Sequence, residues 1–595
     1  MGGVCVGIPP NTTPLMDRVG YKAMSKTLNV TNERVDDIPL LLAFLKQMGV
    51  QSLLDQHFPT HGNWQGLSLG WVAVVWLSYI LSQADHRLSH VQPWAEKRLE
   101  TLSGCTTDAL RALDLTDDRL EAVLRYLSDD KSWSEFEKQL GSQLLQVYDL
   151  KPRTARLDST SASTYCGVNQ DGLFQYGHSK DHRPDLAQVK LMLSTLDPLG
   201  MPIATEVLPG NKADDPLYIP AIERVRSTLN HSGLLYIGDC KMAALSTRGV
   251  VVANQDYYLC PLSGTQLAAG ELETYLKRVF SGQQALTSID YDYADGSTKQ
   301  IAVGYETALT RSTTVNGRVV SWTERLLLVR SLAAAESGEK ALVSRLGKAR
   351  SALAQLNQPK QGKKRLTDLF SWQEAASAIV QRYHVQDMLQ LDYQVTHTKR
   401  LLRGYRQRPP RILTESKIHL LVTIDEQALN RQISLLGWRV YVTNQPTEQL
   451  SLADAVIAYR QEYLMERGFG RLKGFPLSLT PMYLQRDDHV TGLMRLLSIG
   501  LRVLTLLEFS VRRNLTAQKE KLAGLYSANP KRATQNPTAE QLLAAFREIT
   551  LLLVSVPDRT YVHLTPLSPL QRRILSLLCF PVEIYTHLAA DDAVP

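Results

Sequence analysis

Residues 154–239 carry the pattern that most constrains the fold of this chain. Their apolar periodicity predicts a strand, a two-stranded hairpin, a helix and a second short strand, in that order. The segments are Thr154–Asp158, Gln188–Leu196 with Met201–Val207 around a Pro/Gly turn, Pro216–Leu229 and Leu234–Ile237. Asp158 ends the first segment, and Asp239 follows the last. Because sites in mixed α/β sheets tend to form at strand ends, both aspartates are candidate functional residues.

Composition places the chain among large globular proteins. Its 595 residues suffice for about three or four domains. Hydrophobic residues make up 44% and charged residues 21%, which excludes a disordered chain. The net charge of +7 permits a polyanionic partner without demonstrating one. The six cysteines are scattered without a Cys-x-x-Cys pair, which argues against a zinc knuckle and a disulfide framework and fits a reducing cytoplasm.

No segment predicts secretion or membrane insertion. Residues 1–20 lack a basic segment followed by an apolar core, so no signal peptide is expected. The apolar run 66–81 is shorter than the about 20 residues that a spanning helix needs. It is interpreted as a buried core helix, and no membrane partner is expected.

The remaining chain alternates between helical and β-rich stretches. Residues 27–145 have a 3.6-residue apolar period and contain most of the tryptophans, which predicts a compact helical bundle. Residues 257–262 and 284–329 look β-rich, residues 337–384 look helical and basic, and Trp438–Thr443 predicts a strand. From about residue 489 to the end, the pattern is mostly that of amphipathic helices around a polar linker near 527–537.

A late segment, residues 459–473, combines residue types suited to phosphate chemistry. Tyr459, Glu466 and Lys473 are spaced by seven residues, so one continuous helix would present all three on one face. Met465, Phe469 and Leu472 form a neighbouring apolar stripe that could dock this helix on a sheet. For an isolated match, an ordinary solvated helix face is the more frequent explanation.

Asp158, Asp239 and Glu466 together supply the three carboxylates that two-metal phosphoryl transfer requires. Mg²⁺ prefers such oxygen ligands and keeps several waters, so few protein ligands suffice. Spacing alone does not show that the three carboxylates converge in the folded chain. Each aspartate could instead be a turn or strand-end residue. Asp214 and Asp215, which precede Pro216, are interpreted as a helix start with Asp at the N-cap and Pro at N1.

Four segments in combination resemble bacterial DDE transposases. They are LDST at 157–160, GHSKDHRPD at 177–185, IGDCKM at 237–242 and the Tyr459, Glu466 and Lys473 segment. The resemblance covers about residues 27–515 and is nearest to insertion-sequence transposases. In that group a long β-rich insertion interrupts an RNase H-like domain. Such an insertion would explain why Asp239 and Glu466 lie 227 residues apart.

The resemblance implies an α/β fold class: an RNase H-like mixed sheet with a β-rich insertion, a helical N-terminal domain and a helical C-terminal region. Asp158 would lie on the first strand and Asp239 on the fourth. The expected divisions are a tail at 1–26, a helical and possibly DNA-end-binding domain at 27–147, the catalytic domain at 150–255 and 431–515, the insertion with its basic helical segment at 256–430, and a C-terminal, possibly dimerising region at 516–595.

The activity implied by the resemblance is cut-and-paste DNA transposition. Asp158, Asp239 and Glu466 would hold two Mg²⁺ ions, or Mn²⁺ in their place. The enzyme would cut double-stranded DNA at terminal inverted repeats and join the freed 3′-OH ends to target DNA. Coupling two ends implies a homodimer on DNA, and the expected location is the bacterial cytoplasm at the nucleoid.

DNA contacts are expected at several further residues. The resemblance assigns Lys473 to a phosphate and Tyr459 to the DNA backbone. Lys180 and Arg183 would contact phosphates near the active site, and Trp322 could stack on a flipped base, although a core position is its commoner role. The dense basic run contributes Lys399, Arg400, Arg403 and Arg406, for which a solvated face is an equal alternative.

One departure from the family pattern leaves alternatives open. The family signature has an arginine where this chain has Glu462. The chain could therefore be a DNA-binding regulator that has lost catalysis. A second alternative is an RNase H-like nuclease that cuts branched DNA or hybrids without strand transfer. The sequence does not give the repeat sequence, the target preference, the excision route or the oligomeric state without DNA.

Overall fold

The computed structural model describes residues 29–293, 296–358, 366, 368–402, 411–556 and 559–589. Its centre is a nine-stranded mixed sheet, and helical regions precede and follow that sheet in the chain. This arrangement confirms the predicted α/β class with helical N- and C-terminal regions.

The N-terminal region is helical, as predicted, after one strand that the sequence analysis did not predict. Its elements are β1 (Asn29–Arg34), α1 (Ile38–Gln47), α2 (Val50–His57), α3 (Leu69–Gln83), α4 (Val91–Glu96), α5 (Leu99–Cys105), α6 (Asp117–Leu127) and α7 (Asp130–Val147). The predicted core helix is α3, which begins where the Ser68 hydroxyl accepts the amide of Trp71. Trp71, Trp76 and Trp133 are fully buried in this region.

The first half of the sheet follows the predicted order of elements. It contains β2 (Thr154–Thr164), β3 (Ala187–Leu196), β4 (Met201–Pro209), α8 (Tyr218–Leu229), β5 (Leu235–Gly238), α9 (Leu245–Ala253) and β6 (Tyr257–Pro261). The strands lie in the order β4-β3-β2-β5-β6. The strands β2, β3 and β4 are antiparallel, whereas β5 runs parallel to β2 and β6 parallel to β5. This pairing places the end of β5 beside Leu157, within β2.

The region between β6 and the second half of the sheet mixes strands and helices. Its elements are α10 (Ala269–Phe280), β7 (Thr287–Asp292), β8 (Thr298–Val315), β9 (Arg318–Ser331), α11 (Leu332–Ala354), α12 (Leu369–Arg382), β10 (Leu389–Leu402), β11 (Arg411–Ile424) and α13 (Glu426–Leu435). Strands β7–β9 extend the central sheet, whereas β10 and β11 form a separate two-stranded sheet. The sequence analysis missed α10.

The chain then returns to the sheet through β12 (Trp438–Thr443), which pairs with β6 and β9. Two helices follow, α14 (Leu452–Arg460) and α15 (Tyr463–Lys473). The prediction of one continuous helix through residues 459–473 is therefore wrong. Arg156 donates to the carbonyl of Ala458, which in a continuous helix would accept the amide of Glu462. That amide bonds instead to the carbonyl of Tyr459 at 3.1 Å, and the helix breaks.

The C-terminal region is helical with one added hairpin. It contains α16 (Asp487–Gln518), α17 (Ala539–Ala544), β13 (Thr550–Val556), β14 (Arg559–Leu564), α18 (Pro569–Leu577) and α19 (Glu583–Thr586). The sequence analysis predicted only helices here. The hairpin pairs through β13 with β1, so residues from both parts of the chain share a three-stranded sheet.

Helix α16 is the one described helix that is long and apolar enough to cross a membrane. Its most apolar 18-residue window is 94% buried inside the protein. A core helix meets the same criterion, so its length and composition are weak evidence for a membrane span.

Candidate functional site

Asp158 and Asp239 lie where the sequence analysis expected them, on the first strand of the central sheet and directly after the fourth. Asp158 is in β2, and Asp239 follows Gly238 at the end of β5. Because Leu157 pairs with Gly238, the two aspartates are neighbours across parallel strands. Both line a small cavity of about 20 Å³, which holds roughly one water or ion.

Glu462 is the glutamate that lines this cavity, together with Tyr459 and Met465. It lies at the break between α14 and α15 and is half-buried. Burial raises the pKa of Glu462, and the negative charge of Asp158 raises it further. Glu466 is exposed and is not among the residues that line the cavity. The predicted trio of Asp158, Asp239 and Glu466 is thus not brought together around one cavity in this conformation.

Asp158 has a cationic partner within the protein. Lys180 Nζ lies 3.0 Å from Asp158 Oδ1 and also donates to the carbonyl of Ser159. Burial raises the pKa of Asp158, Lys180 opposes that rise, and the nearby charge of Asp239 adds to it. Lys180, predicted to contact DNA phosphate, here neutralises the candidate metal-binding carboxylate.

Asp239 accepts two hydrogen bonds on one oxygen. The Tyr218 hydroxyl donates to Oδ1 at 2.6 Å, and the amide of Lys241 donates to the same atom at 2.8 Å. Burial and the adjacent carboxylates hold the pKa of Tyr218 well above its ordinary value, so Tyr218 stays a donor. These bonds leave Oδ2 of Asp239 as the atom for further ligands. The sequence analysis did not identify Tyr218, which its apolar helix pattern concealed.

A second ion pair lies beside Asp158. Asp214 accepts from Ser159 Oγ at 2.9 Å and from Lys190 Nζ at 2.7 Å. Asp214 stands at the N-cap of the short helical turn Asp215–Leu217, as predicted, but its side chain makes no cap hydrogen bond. No sequence pattern predicts the Lys190–Asp214 ion pair, because Lys190 lies in the middle of a buried strand.

The donor set around the cavity suits a divalent cation such as Mg²⁺ or Mn²⁺. Asp158, Asp239 and Glu462 are oxygen donors facing one cavity, and their mutual repulsion is what a cation relieves. Among the described residues, no three His, Cys, Asp or Glu side chains lie close enough to hold a metal ion as they stand. The residues therefore fit a cation by chemistry, and binding would require them to draw together.

The other predicted cations near the site are engaged with carboxylates. Lys473 Nζ lies 2.5 Å from Asp181 Oδ1, which ties the end of α15 to the loop after β2. Arg183 lies 2.8 Å from Asp185 on an exposed part of the same loop. Both cations remain partly accessible to solvent, and their predicted DNA contacts stay predictions.

Two aromatic residues that were predicted to contact DNA lie in the core. Tyr459 is buried against Tyr441, with ring centroids 4.8 Å apart. Trp322 is only 8% exposed, and its indole donates to the Tyr258 hydroxyl at 2.8 Å. In this conformation little of the Trp322 ring is accessible, and its predicted stacking on a base stays a prediction. The core position retained as its alternative is the observed one.

The described part of the dense basic run, residues 399–402 and 411, lies at one end of the β10–β11 pair. Lys399 is exposed on β10, opposite Thr414. The side chain of Arg400 and the whole of Arg403 and Arg406 lie outside the described residues. The predicted DNA contacts of this run stay predictions.

Comparison with known proteins gives little beyond this geometry. No protein-family model matches the chain, and no curated protein matches it. Six chains of solved structures match. One is the cryo-EM structure of a piggyBac transposase synaptic complex with hairpin DNA, at 8% sequence identity and a TM-score of 0.32. That match covers 85% of this chain and 79% of the other, and a TM-score this low does not establish a shared fold.

Proposed function

We propose that this protein is a DNA transposase that works by metal-dependent phosphoryl transfer. The observation that carries the proposal is the cavity shared by Asp158, Asp239 and Glu462, which come from three distant parts of the chain. Convergence of carboxylates from separate segments is what two-metal phosphoryl transfer requires.

The strand order supports the same proposal. Three antiparallel strands followed by two parallel ones, in the order β4-β3-β2-β5-β6, is the arrangement expected of an RNase H-like sheet. In that arrangement the first and fourth strands supply the two aspartates. Strands β7–β9 lie beyond β12 in the sheet and within residues 256–430, where an insertion before the glutamate is expected, which supports the proposal.

We assign the third carboxylate to Glu462 instead of Glu466. Glu462 lines the cavity, whereas Glu466 lies one helical turn further along α15 and faces solvent. The break between α14 and α15 causes this difference, because it turns residue 462 toward β2 and β5. Glu462, which departs from the family signature, would thus take the metal-binding role that was predicted for Glu466.

The residues of the site would each have a separate role. Divalent ions held by Asp158, Asp239 and Glu462 would supply an activated oxygen nucleophile and stabilise the leaving oxygen. Tyr218 would hold the Asp239 carboxylate in place through its hydrogen bond. Lys180 would move from Asp158 to a DNA phosphate, and Lys473 would position the backbone near the cut. The substrate would be double-stranded DNA with terminal repeats, bound by a dimer at the bacterial nucleoid.

One observation favours the alternative of a catalytically inactive DNA-binding regulator. Lys180 already neutralises Asp158, and the described carboxylates are not gathered into a preformed metal group. That alternative predicts binding of DNA ends without cleavage in any metal.

The test combines metal binding with DNA cleavage in matched variants. Mn²⁺ binding is measured by calorimetry, and 3′-OH release is measured on a duplex that carries the repeat flanking the gene. We expect Asp158→Asn, Asp239→Asn and Glu462→Gln each to weaken Mn²⁺ binding at least tenfold and to abolish cleavage.

Glu466→Gln is the isosteric control for Glu462→Gln. It should leave Mn²⁺ affinity within about twofold of wild type. If Glu466→Gln abolishes metal binding and Glu462→Gln does not, the assignment to Glu462 is wrong. Metal and DNA binding without cleavage in the wild type would favour the inactive regulator.

A further inference from the structure

A cavity of about 830 Å³ lies outside the candidate catalytic site, between the N-terminal helices and the loop after α15. One wall comes from the end of α3, the following loop and α4. The other wall is formed by residues 478–483. This volume is within the range of small-molecule sites and exceeds what one or two waters would occupy.

The walls of the cavity carry an excess of positive charge. Asp85 is their one acidic residue, and it is shared by Arg87 and His90, each at 2.9 Å. Within the described chain, neither Lys97 nor Arg98 forms an ion pair with a carboxylate. Two cations are therefore available to an anion in the cavity.

Buried polar atoms in the same walls also lack partners. Arg98 Nε is buried without a hydrogen-bond acceptor, although its guanidinium lies over the Trp94 ring at 5.1 Å. His86 is only 4% exposed, and its Nε2 has no partner either. Unpartnered buried groups are costly, so these atoms are ready to bond to a polar ligand.

The cavity also offers aromatic surface. Tyr483 is 61% exposed, and its centroid lies 6.1 Å from His86 at an interplanar angle of 32°. Tyr79 and Trp94 pack edge to face in the wall beside it. An exposed aromatic face beside unpaired cations is the combination that single-stranded nucleic acids use for base stacking and phosphate contacts.

The cavity is connected to the candidate catalytic site through the chain. Thr480 Oγ1 donates to the carbonyl of Lys473 at the end of α15, at 2.9 Å. Met482 forms a parallel bridge with Thr164, the last residue of the strand that carries Asp158. These two contacts fix one wall of this second cavity to the end of α15 and to the last residue of β2.

We propose that this cavity binds an unpaired nucleotide of a DNA strand, with its base on Tyr483 and its phosphate at Lys97 and Arg98. The inference rests on the proposed function, since it supplies a place for single-stranded DNA beside the cut. An acidic peptide would pair with the cations but would leave the exposed face of Tyr483 unused.

The test measures binding of fluorescein-labelled dT10 to the full-length protein by anisotropy, in EDTA and at several salt concentrations. Tyr483→Ala and Lys97→Ala should each weaken binding about tenfold. Tyr483→Phe keeps the aromatic face and should bind like wild type. Lys97→Ala should also reduce the salt dependence by about 0.7 in the slope of log K against log salt.

Matched controls use exposed residues away from the cavity. Tyr561→Ala and Lys131→Ala should bind dT10 like wild type, and thermal melting should show that all variants fold. Equal binding by wild type, Tyr483→Ala and Lys97→Ala would overturn the proposal. Loss in Lys97→Ala alone would overturn the stacking part, and complete displacement by free dTMP would indicate a site for free nucleotides instead.

Because the assay contains no divalent metal, it separates this proposal from the catalytic one. Asp158→Asn should bind dT10 at least as tightly as wild type, whatever its effect on cleavage. Tighter binding of rU10 than of dT10 would overturn the assignment to DNA.

Discussion

Lys180 acts as an internal counter-ion for the candidate site. Its ammonium lies 3.0 Å from Asp158 and lowers the electrostatic cost of keeping that carboxylate beside Asp239. A divalent cation would compete with this ammonium for the same oxygen. If a metal binds as proposed, Lys180 would oppose its binding in the free protein and would then become available to a DNA phosphate.

We expect Lys180→Met to tighten Mn²⁺ binding by about fivefold while reducing DNA cleavage. The pair is partly exposed, so its contribution is on the order of 1 kcal/mol. Calorimetry in the absence of DNA measures the affinity. Arg183→Met is the control from the same loop and should not change Mn²⁺ binding. Weaker Mn²⁺ binding by Lys180→Met would contradict the counter-ion role.

Single residues were predictable where a short apolar pattern marks the strand beside them. Asp239 follows the apolar strand β5, whereas Asp158 lies within β2, which continues to Thr164 beyond the predicted strand end. Glu462 did not follow, because no Pro or Gly marks the helix break beside it. The break depends on Arg156, a residue more than 300 positions away. Long-range contacts of this kind leave no local trace in a sequence.

The junction of α14 and α15 is the element that completes the site. Arg156 joins three parts of it: it pairs with the buried Asp197 at 2.7 Å, bonds to the carbonyl of Ala458 and lies near Glu462. The positive charge of Arg156 lowers the pKa of Glu462, against the effect of burial. This arginine is thus a positioning residue for the proposed third carboxylate.

We expect Arg156→Met to destabilise the protein and to change the pH dependence of metal binding. Loss of one partner from a buried ion pair costs about 3 kcal/mol, which thermal or urea unfolding would measure. The pKa of Glu462 should rise further, so Mn²⁺ binding should require a higher pH than in wild type.

The double variant Arg156→Met/Asp197→Asn separates the two effects. Because it leaves no unpaired charge at residue 197, it should recover much of the stability. Its pH dependence of Mn²⁺ binding should remain shifted. An unshifted pH profile in both variants would show that Arg156 has no influence on Glu462.

Elements with strong local periodicity were predicted, and elements that depend on distant partners were not. The β3–β4 hairpin, α3 and α8 lie where apolar spacing and turn residues indicated. Strand β1 is mostly exposed and polar, and it is a strand because β13 supplies its hydrogen bonds. Apolar and polar residues alternate only weakly in the β13–β14 hairpin, so the sequence pattern predicts a helix there.

The contribution of Asp37 to the stability of the whole molecule should fall as the pH rises through the acid range. Asp37 is buried between β1 and α1 and accepts from Ser82 at 2.7 Å. Burial raises the pKa of Asp37 to about 6, above its value of 3.8 in the unfolded chain. Asp37 therefore holds its proton more often in the folded state between these values, and its contribution to stability falls as the pH rises from about 4 to about 6.

We expect Asp37→Asn to remove that fall and to be more stable than wild type at pH 7.5, by up to about 3 kcal/mol. The amide oxygen of Asn can still accept from Ser82. Urea unfolding at pH 4.5 and 7.5 measures the difference between variant and wild type. Equal pH dependence in both proteins would show that Asp37 does not titrate as described.

The three-stranded sheet of β1, β13 and β14 can form only late in protein synthesis. Strand β1 leaves the ribosome long before β13, since more than 500 residues separate them. At about 5–20 residues per second, the interval is roughly half a minute to two minutes. Throughout that time β1 exposes unpaired backbone groups. The N-terminal helices therefore become fully anchored only after nearly all of the described chain has been translated, and shorter translation products should remain unanchored there.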